Sequence, residues 1–488
     1  MNQLILYIKK PQFWYYFLTL LFVFVSTYLI LNQPKNHLLF SALPVVLLIV
    51  FLALFSIEKL TLFTVFCTPL AITLKDIGLH DTLNLSLPTE PLMAGIMILF
   101  LFHQLLNGII DKKVFSHPIT ICILFSLFWT TVTCFTSEMP VVSIKFLIAR
   151  LWFICTAYFI CSYIFKNQKN MFRFLWFYII PLILVIFYTL LGQARHGFDE
   201  KSADWIMTPF YNDHTAYAAV IAMFIPVLIG FIFQKDYAFH LKIIIVSIIA
   251  LCLIATVFSY TRAAWLSLAG AIAIFIFLLL RIKFRFLLFT ALLGGLVFVL
   301  FQTQITLALQ RNNTDSDGDL SKNIQSIGNI KTDPSNVERL NRWDCAFKMF
   351  KQRPIVGWGP GTYMFQYAPF QSPELKTVIS TNAGTNGNSH SEYLGPLSEQ
   401  GLLGCLSFIA VMLSVYFTGF RLCYTLTDRK LKILVYSVLL GLTTYFVHGF
   451  LNNFLDTDKA SVPFWGFIAI ILSVDLFHNS YREKIISH

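Results

Sequence analysis

Long apolar runs joined by short polar loops are the dominant pattern of this chain, and they point to helices that cross a bilayer. The runs span Phe13 to Leu31, Leu38 to Leu54, Leu60 to Leu74, Pro91 to Leu106, Ile119 to Phe135, Val142 to Ile164 and Phe172 to Leu191. Seven more follow: Tyr217 to Phe233, Ile243 to Tyr260, Ala263 to Leu280, Phe286 to Phe301, Leu394 to Phe420, Ile433 to Leu451 and Val462 to Phe477. A helix needs roughly 17 to 25 predominantly apolar residues to span the hydrocarbon core, and most of these runs meet that length. The expectation is an all-α, polytopic membrane helix bundle of about fourteen transmembrane helices, or twelve if the shortest runs do not span. Eleven helices would occupy residues 1–303, one large extracytoplasmic loop residues 304–393, and three helices residues 394–488. The first run has no small-residue cleavage site behind it and reads as an anchor, not as a removed signal peptide.

Composition agrees with a lipid solvent. Hydrophobic residues make up 57% of the 488 and charged residues only 12%, against about 25% charged in a typical soluble domain. The net charge of +11 does not call for nucleic acid, because a membrane protein collects Lys and Arg in its cytoplasmic loops. With the N-terminus inside, nineteen Lys and Arg fall in inside positions and eight in outside positions other than the long loop. That asymmetry predicts both termini in the cytoplasm. The nine cysteines contain no CxxC pair, so neither a disulfide framework nor a zinc site is expected.

The long loop carries its own elements. Arg311 to Asp333 is rich in Asn, Asp, Ser and Gly and reads as mobile. Ser335 and Glu338 then have capping-box spacing ahead of Leu340, Trp343, Phe347 and Phe350, which share one helical face. Pro354 ends that helix. Gly357, Gly359 and Gly361 supply turn chemistry, so the segment predicts a helix on the membrane surface or on the bundle, followed by a loop able to cover a site. A plain structural cap remains the alternative.

Candidate chemistry concentrates at the outer face. In Asn388-Ser-His-Ser-Glu-Tyr-Leu-Gly-Pro-Leu-Ser-Glu-Gln-Gly-Leu-Leu-Gly404, Ser389 and Glu392 again have capping-box spacing, which places His390 in the first turn of a helix. A helix N-terminus disfavours a cation there, so the imidazole should be neutral and able to accept a proton. Gly401 and Gly404 would let a neighbouring helix approach closely. A lone histidine can equally be a loop hydrogen-bonder. Arg262 stands at a membrane boundary, and Arg150 with Lys145 lies inside an apolar run, where a cation is costly and often functional; snorkelling to the surface is the alternative. Asp213 and His214 begin a helix and read as sugar contacts or as a cap. Arg339 and Arg342 read as contacts or as solvated charges of the loop helix, and Tyr363, Tyr393 and Phe365 as sugar-stacking or anchoring aromatics.

His390, Ser391, Gly401 and Gly404 match a pattern of His, then Ser, Asn or Gln, nine residues, Gly, two residues, Gly. This resembles the signature of the O-antigen ligase, O-antigen polymerase and protein O-oligosaccharyltransferase superfamily. Thr261-Arg-Ala-Ala-Trp265 is similar to its Arg-containing helix start, and Glu338-Arg-Leu-Asn-Arg-Trp with Pro354-Ile-Val-Gly-Trp-Gly-Pro-Gly361 is similar to its periplasmic loop. The resemblance covers about Lys145 to Gly404, and fourteen runs exceed the dozen helices usual among the ligases. It implies an enzyme of the bacterial inner membrane, with its active site on the periplasmic face. The implied reaction is an inverting, metal-independent glycosyl transfer that needs no cofactor, in which an undecaprenyl-diphosphate-linked glycan is the donor and lipid A core or another hydroxyl is the acceptor. In that reading His390 is the base, Arg262, Arg150 and Lys145 bind the donor diphosphate, and Asp213, His214, Arg339, Arg342, Tyr363 and Tyr393 contact glycan or loop. The partners are then those substrates and membrane lipids, with no nucleic acid. Ligase is the leading expectation; a polymerase or protein O-oligosaccharyltransferase would use the same donor, and a lipid-linked glycan flippase or transporter is the non-enzyme alternative. The outer-face clustering of polar candidates favours surface chemistry over transit.

Overall fold

A computed structural model describes residues 11–32, 44, 46, 47, 49–53, 55–74, 85–301, 329, 333–377, 379–381 and 387–479. The chain divides into two compact units, Met1–Leu60 and Thr61–His488. In the first, α1 (Pro11–Asn32) contains the apolar stretch Thr19–Tyr28. The expected run Leu38 to Leu54 and the Asn- and Asp-rich stretch before Asp333 lie largely outside the described residues. The expected third span does not form: α2 (Ile57–Cys67) passes into a single 3-10 turn at Thr68–Leu70, and Ile72–Thr73 (β1) pairs antiparallel with Ser86–Leu87 (β2). Pro69 lacks the N–H that would continue the ladder, which is why this run stops short.

The second unit is the all-α polytopic membrane bundle. Among the described residues ten helices are long and apolar enough to cross a bilayer. They are α3 (Thr89–Asn107), α4 (Pro118–Phe135), α5 (Pro140–Ile164), α6 (Gln168–Arg195), α7 (His214–Ile232), α8 (Phe239–Phe258), α9 (Arg262–Leu279), α12 (Leu394–Thr425), α13 (Arg429–His448) and α14 (Asp458–Phe477). A shorter apolar helix, α10 (Phe284–Leu300), follows α9. The core is built by α7, α13 and α14, whose apolar windows are 83%, 72% and 89% buried, while α8 and α9 turn most of their residues outward. Small residues let these helices meet: a side chain at Gly441 would overlap the Met223 carbonyl of α7, and one at Gly466 would overlap the Phe174 ring. Several buried charged groups are bonded within the bundle. Lys459 donates to the carbonyls of Thr68 and Ala71 at 3.0 and 2.8 Å, and Asp475 accepts from Arg421 at 2.6 Å and lies 3.1 Å from His117.

The loop helix α11 (Pro334–Gln352) is where expected, with two corrections. Its N-cap is Asp333, which accepts from the Asn336 N–H at 3.1 Å, because Pro334 at the first helical position fixes the start two residues earlier than Ser335 would. Its inner face is Val337, Asn341, Arg342, Cys345 and Met349, whereas Phe347 of the expected apolar face is 47% exposed. A polar inner face is tolerated because its groups are bonded: Arg342 to Glu338 at 2.6 Å and Thr381 at 3.0 Å, and Asn341 to Gln371 at 3.1 Å. Tyr363 and Tyr367 stack beneath it with ring centroids 5.5 Å apart.

Candidate active site

The loop that joins α11 to α12 is pinned to the bundle by backbone contacts. Gly357, Gly359 and Gly361 all have positive φ. The Trp358 N–H donates to the Ser398 carbonyl at 3.2 Å, and the Gly359 N–H to the Glu399 carbonyl at 2.8 Å. Gly401 is the receiving point. It breaks α12 with φ 69° and ψ −166°, and a Cβ there would overlap the Ile355 carbonyl. The glycine therefore accommodates the loop's own backbone, not a neighbouring transmembrane helix, and its side-chain-free kink lets the Leu402 N–H bond the Pro354 carbonyl at 2.9 Å.

His390 sits upstream of the first turn of α12, which begins at Leu394. The hydroxyl of Ser391 takes the capping role, accepting from the N–H groups of Tyr393 and Leu394 at 3.2 and 3.3 Å. His390 itself has φ 48°, a left-handed conformation that is unusual for a residue with a side chain; its N–H is held by Asn388 Oδ1 at 3.0 Å. Its neutrality has a different cause from a helix dipole. Burial, and then the charges of Arg339 and Arg342, lower its pKa to about 4, against smaller opposing effects from Asp213 and a hydrogen bond with Asn452.

Two guanidinium groups, those of Arg339 and Arg342, act on this imidazole, and a third, that of Arg262, stands near Arg339; each is already engaged. Arg262 makes a two-pronged pair with the buried Asp333, at 2.9 and 3.0 Å, and so ties the start of α9 to the cap of α11. Arg339 donates to the Leu451 carbonyl at 3.3 Å and to Ser335 at 3.0 Å; burial and the nearby Arg262 lower its pKa to about 10. Arg342 is 1% exposed, bonded to Glu338 and Thr381, and lies 4.0 Å over the Tyr367 ring. It is therefore a buried group and not a solvated face charge. Arg339 is electrostatically coupled to both Arg262 and His390, which puts all three in one neighbourhood.

Arg150 and Lys145 are placed differently. A cavity of about 230 Å³ is lined by Phe146 and Arg150 of α5, Tyr363 of the loop, Asn388, Ser389, Ser391 and Glu392 beside His390, Glu399 of α12, and Asn453 and Asp456 after α13. A second cavity, of about 490 Å³, shares Phe146, Arg150 and Asp456 and adds Lys145, Glu90 and Trp152. Arg150 lies 5.1 Å from the Phe146 ring, and among the described residues neither its side chain nor that of Lys145 has a hydrogen bond or ion pair.

Other residues fall into supporting positions. Asp213 caps α7 by accepting from the Thr215 N–H at 2.7 Å, and His214 lies 3.3 Å from Asp204. The Tyr363 N–H is bonded to Glu399 at 2.9 Å and its hydroxyl to the Arg342 carbonyl at 2.7 Å. Tyr393 donates to the Phe446 carbonyl at 3.0 Å and stacks on Phe450. Glu392, expected as the capping-box partner of Ser389, instead accepts from Tyr445 at 2.6 Å and from the N–H groups of Phe454 and Leu455 at 2.8 and 2.9 Å, locking the His390 loop to the loop after α13; sequence reasoning gave it no such role. The same reasoning missed Glu399, Asn452, Asn453 and Asp456. The signal available was the polar cluster Asn452-Asn453-Phe-Leu-Asp456 at a helix boundary.

Residues 247–409 match the family model described as O-Antigen ligase. The match covers a third of the chain and supports its resemblance to the O-antigen ligase and polymerase superfamily. The O-antigen ligase segment runs from α8 to the middle of α12 and includes Arg262, α11, the glycine-rich turn and the His390 loop, while Arg150, Lys145, Asn453 and Asp456 come from outside it. No curated protein matches the chain. A match to this family, in a multi-pass membrane bundle, supports an enzymatic role in glycan transfer.

Proposed function

We propose that the protein is an inverting, metal-independent glycosyltransferase that moves an undecaprenyl-diphosphate-linked O-antigen or related glycan onto an acceptor hydroxyl, with lipid A core as the acceptor. The hydroxyl oxygen attacks the anomeric carbon while the bond to the diphosphate breaks, His390 takes the hydroxyl proton, and the diphosphate leaves with the electron pair. Arg150 and Lys145 meet the leaving charge, since among the described residues neither side chain has a hydrogen bond or an ion pair, and Arg150 rests only against the Phe146 ring near the carboxyls of Glu399 and Asp456. Arg262 acts by holding α11, and with it Arg339, against His390.

The observation that carries this reading is the position of the His390 loop. Its imidazole is felt by Arg339 and Arg342, while residues on either side of it line the cavity that contains Arg150. The charge asymmetry of the loops supports a site on the extracytoplasmic face with both termini inside, which in a bacterial inner membrane is the periplasmic face. A cysteine introduced at Lys351 should then react with an impermeant reagent from outside and one at Arg429 should not; the reverse pattern overturns the orientation.

Deletion of the gene tests the function. A ligase predicts loss of long-chain lipopolysaccharide with accumulation of the lipid-linked glycan. Collapse of chain length to single units would identify a polymerase, loss of glycosylated protein an oligosaccharyltransferase, and an unchanged glycan profile would overturn glycan transfer altogether.

A further inference from the structure

At the end of the bundle opposite His390, a cavity of about 280 Å³ opens between the last turn of α9, the end of α12 and the start of α13. Leu278, Leu279, Arg281, Cys423, Tyr424, Lys432 and Tyr436 line it, and no carboxylate does. The turn after α9 is well held: the Ile282 N–H bonds the Phe277 carbonyl at 3.0 Å, and the Tyr424 hydroxyl bonds the Ile282 carbonyl at 2.9 Å. Arg281 occupies a left-handed conformation within this turn, with φ 53°, a state that costs a residue with a side chain some stability and persists where surroundings enforce it.

The two cations of this pocket differ from their neighbours. At the same end, Arg421 is paired with Asp475 at 2.6 Å and Lys430 with Asp236 at 2.5 Å. Among the described residues the side chains of Arg281 and Lys432 have neither an ion pair nor a hydrogen bond. A pocket that converges a guanidinium, an ammonium and two phenols without a counter-charge fits a phosphate, to which Arg presents a fork and Lys a point charge. The flanking surface narrows the source. Leu279 and Leu280 are 61% and 66% exposed on the outside of a membrane-spanning helix, where an acyl chain would run.

We infer that this pocket binds the phosphate of an anionic membrane lipid, held by Arg281 and Lys432 with its chains along the end of α9. Basic pockets between helices at the membrane surface recognise headgroups in this way, each cation contributing roughly five-fold in affinity. The site is separate from the glycan-transfer reading and stands or falls without it.

Native mass spectrometry of the detergent-purified full chain tests the inference, with dioleoyl phosphatidylglycerol and dioleoyl phosphatidylcholine as probes. The expected result is selective retention of phosphatidylglycerol, reduced about thirty-fold in the double variant Arg281→Gln, Lys432→Gln. The exchanged pair Arg281→Lys, Lys432→Arg preserves charge and should keep most of the binding, which separates loss of charge from loss of fold. Equal retention of the two lipids, or an unchanged double variant, overturns the proposal. So does displacement of phosphatidylglycerol by millimolar inorganic phosphate, which would make the site one for free phosphate.

Discussion

The neighbourhood of His390 and the cavities around Arg150 hold the same kind of charge under opposite conditions. Around His390 each guanidinium is committed to the protein: Arg262 to Asp333, Arg339 to Leu451 and Ser335, Arg342 to Glu338, Thr381 and the Tyr367 face. Around Arg150 two cations face open space. The first arrangement fixes the loop helix and tunes an imidazole; the second leaves charge available to a ligand. A cation at a membrane boundary is thus of two kinds, and only its partners tell which.

Substitutions can break this contrast, beginning with the largest effect. Gly401→Val should prevent the loop from docking, since it sets a branched side chain at φ 69° against the Ile355 carbonyl. A loss of more than about 4 kcal/mol is expected, seen as absence of folded protein by size exclusion in detergent. Arg262→Gln removes the two-pronged ion pair to the buried Asp333 and should cost about 3 kcal/mol in thermal stability, with recovery when Asp333→Asn is added. Arg150→Gln should leave stability unchanged and raise the donor KM about ten-fold, the loss of one charge-assisted contact. Were Arg150→Gln to destabilise and Arg262→Gln to affect only donor use, the two regions would have to exchange roles. Lys145→Gln, at an exposed charge, should raise the donor KM by only about two- to five-fold.

The smallest effect concerns acidity. An imidazole with a pKa of about 4 is still mostly unprotonated at pH 5, so the transfer rate should change less than about two-fold between pH 7 and 5. A histidine of ordinary pKa would lose about thirty-fold over that interval. Protonation is favoured only as the pH falls towards 4, and activity should fall there.

Much of this architecture was legible because lipid imposes length. Ten of the expected spans appear as long apolar helices, and α11 ends ahead of Pro354 and the glycine turn as expected, though its cap is Asp333 and not Ser335. The failures share a cause: they depend on tertiary partners. Leu60 to Leu74 has the hydropathy of a span but carries Pro69 and a hairpin strand. Ser389 and Glu392 have the spacing of a capping box, yet Glu392 is drawn to Tyr445 and the N–H groups after α13, so His390 is left in a left-handed turn instead of a helix. The pairing of Arg262 with Asp333 crosses 71 positions, and no local pattern encodes it.

The account depends most on His390 as the group that takes the acceptor proton. Its direct test is the initial rate of glycan transfer by His390→Ala in membrane vesicles, with lipid-linked donor and acceptor supplied and expression matched to the unaltered protein. A loss of at least about a hundred-fold is predicted, in the range expected for removing a general base. A rate near that of the unaltered protein would contradict it.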